Sequence, residues 1–488
     1  MKTKNLPPYA PTLIESTRAI GYSLETAVAD IVDNSIAAEA KNVDIYFFPI
    51  NRAYIAILDN GKGMSEEELF IAMQYGSRNP VEPRNAKDLG RFGLGLKTAS
   101  LSQCRSLTVI TKRGPNIYGC CWDIDYVAET GEWSLLVLND KEFEDIPQIE
   151  KLLKYDTGTL VVWKKLDRLK IGEINFELTL GRKIDSVRSH LSLVYHRYLS
   201  GEPGIVKLKL SINEEKLVPE DPFLIDKSIQ VMDDETFIIK GQKIIVRPYI
   251  LPHVSKMTSE EIKRLGGKDG LRKRQGFYVY RNKRLLVWGT WFRMMRQSDL
   301  SKLARVQVDI PNTLDELWTL DIKKSSATPP AEVRQSLEII VNKLAEQSKR
   351  TWTFRGKKEI SDATVHIWNR IKNRQGDFYY QVNRQHPIVQ QIIRQHPEIG
   401  GPVEILLKQI EIGLPLNQLY VDLNNDEQLS NDKEQSSEEI IEALKAVLEM
   451  HDNKSEKISM LDVMAEIEPF LQYPDAVEQV RNEVKNNG

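Results

Sequence analysis

The run DLGRFGLGLKTAS, Asp88 to Ser100, packs three glycines and a lysine into thirteen residues. Glycines at that density leave backbone N–H groups open to an anion, most of all where a helix begins. The spacing excludes two common phosphate loops. A Walker A loop requires adjacent Gly and Lys, and Leu96 separates Gly95 from Lys97. A dinucleotide fingerprint requires a third glycine where Thr98 stands. The chemistry of this loop has to be read together with what surrounds it.

Upstream, LETAVADIVDNSIAAEA places Leu24, Ala27, Val28, Ile31 and Ile36 close to helical spacing. Asp30 and Asn34 then share one helix face. A carboxylate there can orient an attacking water, and a carboxamide oxygen can ligate Mg2+. An ordinary solvated helix would carry the same pair. VDIYFF and YIAIL predict a strand hairpin whose second strand ends at Asp59, in LDNGKGM. A carboxylate in a mostly apolar pocket can accept a hydrogen bond from the exocyclic amine of adenine, while Gly61 and Gly63 let the backbone pass close to a flat base. DNG alone also makes a tight turn. Ser65 and Glu68 have the spacing of a capping box. Gly90, Gly93 and Gly95 would offer N–H groups to phosphates at a helix starting near Leu94, and Lys97 a positive charge at the γ-phosphate. Four strand-like runs follow: SLTVIT, IYGCCWDI, WSLLVLN and GTLVVWKKL. Residues 1–170 thus read as α+β, with helices layered on one face of a mixed or antiparallel sheet.

In this order and spacing, DIVDNSIAA, DNGKGM and GRFGLGLKTAS resemble the three boxes of the GHKL superfamily, the ATPases of gyrase B, Hsp90, histidine kinases and MutL. The resemblance implies a Bergerat-type ATP-binding α/β sandwich, with ATP and Mg2+ as cofactors. It implies that Asp59 and Thr159 (in DTGTLVV) hold adenine, beside Gly61, Gly63 and Met64, and that Asn34 holds Mg2+. It puts Gly93, Leu94 and Gly95 on the phosphates and makes YGSRNPVEPRNAKD a lid. Asp30 stands where the family usually has Glu as general base; the side chain is one methylene shorter, so nucleotide binding is the firmer expectation and hydrolysis the weaker.

QGFYVYRNKRLLVWG and WTLDIKKSSATPP look like the S5-like α/β transducer domain that follows in MutL, Hsp90 and MORC ATPases. There a basic residue reaches the γ-phosphate, for which Lys324 or its neighbour Lys323 is the candidate. FGLGLKTAS looks most like the MORC and prokaryotic MORC-like branch, some of which serve bacterial restriction-type defence against phage. The expected division is an ATP-binding domain at 1–175, a transducer at 176–350, a helical region at 351–422 and an acidic linker with a helical tail at 423–488. The implied activity is ATP hydrolysis by an ATP-gated dimeric clamp, on duplex DNA or with a partner nuclease. An Hsp90-like chaperone and a nucleotide-dependent binding module without turnover are the alternatives. A histidine kinase is disfavoured because the first histidine, His190, comes after these boxes.

The net charge of -2 hides an asymmetry. Lys263 to Arg296 holds eleven Lys/Arg against one acid, and Asp422 to Gly488 holds seventeen Asp/Glu against six Lys/Arg. Arg272, Lys273, Arg274, Arg281, Lys283 and Arg284 are the cations expected to meet DNA phosphates, a contact that is independent of base sequence and screened by salt. Phe277, Tyr278 and Tyr280 alternate as in a strand whose aromatics pack inward. Three cysteines without a CxxC and no apolar run near ~20 residues point to a cytoplasmic chain without a membrane span or disulfide framework.

Overall fold

A computed structural model describes residues 3, 8–19, 21–50, 52–76, 95–173, 175–230, 234–267, 270–298, 301–314, 318, 329–353, 365–372, 378–416, 419, 437–449 and 453–486. The chain divides into two compact units, Met1–Thr353 and Phe354–Gly488.

The first unit opens with α1 (Ala10–Arg18) and α2 (Leu24–Ala37). Ser23 caps α2, its side chain accepting from Thr26 N, which satisfies one N–H that a helix start leaves over. β1 (Asn42–Phe48) and β2 (Tyr54–Asp59) pair antiparallel as the sequence predicts. α3 (Glu66–Met73) starts on the Ser65–Glu68 capping box. α4 (Gly95–Leu101), β3 (Ser106–Arg113), β4 (Asn116–Asp123), α5 (Ile124–Thr130) and β5 (Leu136–Val137) follow. Next come two short helices, α6 (Asp140–Phe143) and α7 (Ile149–Leu153), then β6 (Thr157–Lys164), α8 (Asp167–Lys170), α9 (Phe176–Val194) and α10 (His196–Ser200). The hairpin β7 (Lys209–Ile212) and β8 (Glu215–Lys216) completes this layer.

Among the described residues, these strands form one sheet in the order β5-β4-β3-β6-β2-β1-β7-β8. Its pairings are antiparallel except β1 with β7. Side chains alternate across β2. Ile55 and Ile57 join Val28, Ile31 and Val32 of α2 in the main core, while Ala56 and Leu58 pack with Ile146, Ile149 and Leu152 on the other face. The sequence predicts helices on one face only. Both faces are covered, which fits the unbroken apolar run YIAIL, since a strand exposed on one side alternates. β7 lies beside β1 in this sheet, whereas the sequence groups its run IVKLKLSI with the strands that follow it.

A second sheet in the same unit uses β9 (Ile229–Gln230), β10 (Glu235–Ile239), β11 (Gln242–Ile250), β12 (Gly276–Arg281), β13 (Arg284–Thr290) and β14 (Ala304–Ile310). The order is β10-β11-β14-β12-β13, with β9 on β11. α11 (Ser259–Gly266) and α12 (Gly270–Lys273) connect β11 to β12. α13 (Ala331–Thr353) lays Val333, Leu337, Ile340 and Leu344 into the same core as Val246, Val306 and Val308. Phe277 and Val279 enter that core, while Tyr278 and Tyr280 enter a separate aromatic cluster with Phe223 and Tyr249. The aromatics of FYVY are therefore interior, not a stacking surface.

The second unit holds a hairpin, β15 (Trp368–Lys372) and β16 (Phe378–Val382), in a region whose sequence pattern predicts mostly helix. Its helices are α14 (Pro387–Gln395), α15 (Gly400–Ile412), α16 (Ser437–Glu449), α17 (Lys454–Met464) and α18 (Pro474–Asn486). Ile440, Leu444, Leu461, Met464 and Val480 form its core. Among the described residues no helix is long and apolar enough to cross a membrane.

Candidate nucleotide site

β2 carries Asp59 to the end of a buried strand, directly opposite Thr159 of β6, which in turn pairs with Thr111 of β3. Asp59 is 5% exposed. Its Oδ1 accepts from the Gly61 backbone N–H at 2.8 Å, and its Oδ2 accepts from the Ser35 hydroxyl at 2.8 Å. Burial pushes the carboxyl above its ordinary value, and the hydrogen bonds from Gly61, Ser35 and the Thr159 backbone offset only part of that. A carboxylate has roughly four lone-pair sites, so these donors leave the group able to accept from an amine.

The two glycines after Asp59 are fixed by space and by backbone conformation. A Cβ on Gly61 would lie 2.8 Å from Ala38 Cβ and 2.9 Å from Asp59 Oδ1. Gly63 has φ +63, and its Cβ would fall 2.2 Å from the Lys112 carbonyl oxygen. Met64 N donates to Thr111 Oγ1 at 2.7 Å, and that hydroxyl lies 3.3 Å from the Gly158 carbonyl oxygen. Thr111, Ser35 and Gly158 are bonded into this cluster of candidate residues, and sequence reasoning misses them. Ser35 is within sight, one residue beyond Asn34, whereas Thr111 looks like any strand threonine.

One turn along α2 lie the other polar groups. Asn34 is exposed and Asp30 is buried, with Asp30 Oδ2 3.2 Å from the Tyr22 hydroxyl. A Cβ on Gly95 would come to 3.6 Å from Asp30 Oδ2, so the start of α4 faces this carboxylate. Asp30, Asn34, Ser35, Asp59, Gly61, Gly63, Met64, Gly95 and Thr159 are thus drawn to α2 and the neighbouring ends of β2, β6 and α4. Gly90, Gly93 and Leu94 lie outside the described residues, as do Lys323, Lys324 and the expected lid beyond Gly76.

The donor set fits the implied ligands. A buried carboxylate beside close-packed glycines suits the amine edge of a purine. The exposed Asn34 carboxamide offers one hard oxygen of the kind that Mg2+ takes alongside water and phosphate.

Two expectations are corrected. Lys97 is 1% exposed, and its Nζ donates to the Ala72 carbonyl oxygen at 2.8 Å in the last turn of α3. Carbonyls at a helix C-terminus attract a cation, and the ammonium is engaged with one of them inside the fold. Of the six cations expected at nucleic acid, Arg281 and Arg284 are buried. Arg284 Nε lies 3.2 Å from Asp33 Oδ1 of α2. Lys283 pairs with Glu202 at 2.8 Å. Arg272 and Arg274 are half-buried and Lys273 is exposed; Lys263 and Arg264 are exposed on neighbouring α11.

Residues 22–159 match the family described as histidine kinase-, DNA gyrase B- and HSP90-like ATPase. ATPase morc-1 of Caenorhabditis elegans is 33% identical over 89 residues, 18% of this chain and 10% of that protein. DNA mismatch repair protein MutL of Thermosipho melanesiensis is 24% identical over 164 residues, 32% of this chain and 30% of that one. ATPase MORC2B of Mus musculus is 30% identical over 91 residues, 18% and 9% of the two chains. The matched segments therefore span less than a third of these relatives. Among solved structures, the N-terminal domain of a DNA repair protein aligns with TM-score 0.44 and 17% identity, over 69% of this chain and 98% of that one.

Proposed function

We propose that this chain, whose residues 22–159 form a domain of the histidine kinase-, DNA gyrase B- and HSP90-like ATPase family with MORC and MutL proteins among its relatives, binds and slowly hydrolyses ATP to work as an ATP-gated clamp on duplex DNA. The observation that carries the reading is the buried Asp59 carboxylate, opposite Thr159 and still able to accept, beside an α2 that bears Asp30 and Asn34.

Asp59 accepts from the adenine amine, and Thr159 lies next to it on the sheet. Asn34 would hold Mg2+ through its amide oxygen; when bound, the ion neutralises charge on the phosphates. Asp30 orients a water for attack on the γ-phosphorus and takes its proton as the bond to the bridging oxygen of ADP breaks. Tyr22, within hydrogen-bond distance of Asp30, fixes the rotamer of that carboxylate. Asp30 is shorter than the family's Glu, and positioning errors of about 1 Å cost up to ~100-fold, which is why slow turnover is part of the reading. Lys324, which follows β14 in the sequence, is the proposed γ-phosphate contact.

DNA is the favoured partner because the exposed cations of α11 and α12 gather on one short stretch, and because mismatch repair MutL is a relative. ATP-dependent pairing of two copies through the first domain and work beside a partner nuclease in a phage-defence system rest on the resemblance to prokaryotic MORC-like proteins. A salt titration of duplex binding by fluorescence anisotropy tests the DNA reading. Replacing Lys263, Arg264 and Lys273 with Glu should weaken binding at least about tenfold and flatten the log–log salt slope by roughly 2 to 3, with ATP affinity unchanged. Wild-type DNA affinity in that variant would remove the patch from the proposal.

A further inference from the structure

Asp33 lies on α2 between the buried Val32 and the exposed Asn34. It precedes Asn34, is 1% exposed and faces away from solvent into a polar cluster that joins two layers of the first unit. The Tyr195 hydroxyl, at the end of α9, lies 2.7 Å from both the Ala29 carbonyl oxygen and Asp33 Oδ1. Arg284 Nε reaches the same oxygen at 3.2 Å, and its Nη1 donates to the Leu285 carbonyl oxygen at 3.1 Å. His190 of α9 stacks obliquely on Trp288 of β13, ring centroids 5.7 Å apart. Burial and the Arg284 charge push His190 down to about 3, so it is neutral, and Arg284 is the buried cation that answers Asp33. Burial alone would lower the Arg284 value, yet Asp33, Tyr195 and Asp30 together hold it above the ordinary range.

A buried ion pair is a poor source of stability, because both charges lose their hydration, but it is geometrically demanding. This one ties a hairpin of the second sheet to the helix that carries the nucleotide-site groups. Asp30 and Asn34 flank Asp33 at i-3 and i+1, so a rotation or slide of α2 that strains the pair also moves Asp30. Arg284 and Asp30 also feel each other's charge directly.

Resting on the ATPase reading above, we infer that Arg284 is a positioning residue for the nucleotide site: through Asp33 it sets α2, and through the same contact nucleotide occupancy is transmitted to the β12–β13 hairpin. The hairpin follows α12 and its basic segment, so the link runs from the ATP site to the surface proposed for DNA.

The test uses the full chain and two readouts. The first is hydrogen exchange with and without ATP and Mg2+. In the wild type, nucleotide should slow exchange in α2 and in residues 276–290 together. Slowing in α2 with an unchanged hairpin overturns the inference, whatever any variant does. The second is a double variant, Asp33→Asn with Arg284→Met, which removes both charges and leaves neither buried alone. It should bind ATP within about threefold of wild type, lose the hairpin response, and drop kcat roughly 10- to 100-fold with KM little changed, the signature of a misplaced catalytic group. Arg284→Lys, which keeps the charge, should recover part of that loss. A double variant with wild-type kcat and hairpin response would make the pair structural only. A wild type that shows no exchange response in α2 and no ATP binding would instead sink the ATPase reading itself.

Discussion

Asp59→Asn separates a binding role from a structural one. The substitution is isosteric, and the protein can accommodate it: the amide oxygen can keep the Gly61 N–H bond, and the Ser35 hydroxyl can turn to accept from the new amide nitrogen. What changes is the face presented to adenine, where an acceptor gives way to a group whose donors meet the donating amine. A hydrogen bond to a charged group contributes about 1.5–3 kcal/mol, so ATP affinity should fall roughly 10- to 150-fold. Stability should move the other way. Burial raises the folded-state value of the Asp59 carboxyl, so between the ordinary and the raised value the folded protein holds more protons than the unfolded chain. Stability contributed by this group therefore falls as pH rises through that window, and at neutral pH the buried charge is a cost. The neutral amide should leave the melting temperature unchanged or higher. Calorimetric ATP titration alongside a thermal melt checks both. A variant that binds ATP normally, or one that melts well below wild type, would refute the assignment of Asp59 as a binding group held at a cost.

The same chemistry sets a pH dependence for the wild type: ATP affinity should decline on acidification starting at a higher pH than an exposed aspartate would give, measurable by titrating the ligand across a pH series. Gly63→Ala places a side chain at φ +63 and 2.2 Å from the Lys112 carbonyl oxygen. It should cost about 2 kcal/mol or more, lowering the melting temperature of a unit of this size by about 3 °C or more. Thr111→Val leaves the Met64 N–H without its acceptor, a loss of about 1–3 kcal/mol that a denaturant midpoint would register.

The site is legible in the sequence wherever its parts are local. Asp59 ends an apolar strand and is followed at once by the glycine turn of Gly61 and Gly63. Ser65 and Glu68 have capping spacing, and Asp30 and Asn34 share a turn, so periodicity and glycine placement suffice to find them. Asp33 and Arg284 are 251 residues apart and meet only after two sheets and α9 are assembled. Arg284 reads as a surface cation because Arg281 and Lys283 stand beside it, and no local pattern tells a solvated guanidinium from one paired in the interior. Lys97 misleads for the same reason: its partner is a backbone carbonyl of α3, invisible in side-chain spacing. The parallel pairing of β7 with β1 and the packing of Ile146 and Ile149 behind the sheet are likewise products of long-range closure.

Steady-state ATP turnover of the full chain, with and without duplex DNA and against Asp30→Asn, decides whether this site hydrolyses nucleotide. The expected result is slow turnover that rises with DNA and falls at least about 100-fold in the variant, which should still bind ATP. Turnover equal in the two proteins, or no ATP binding by either, would contradict the proposal.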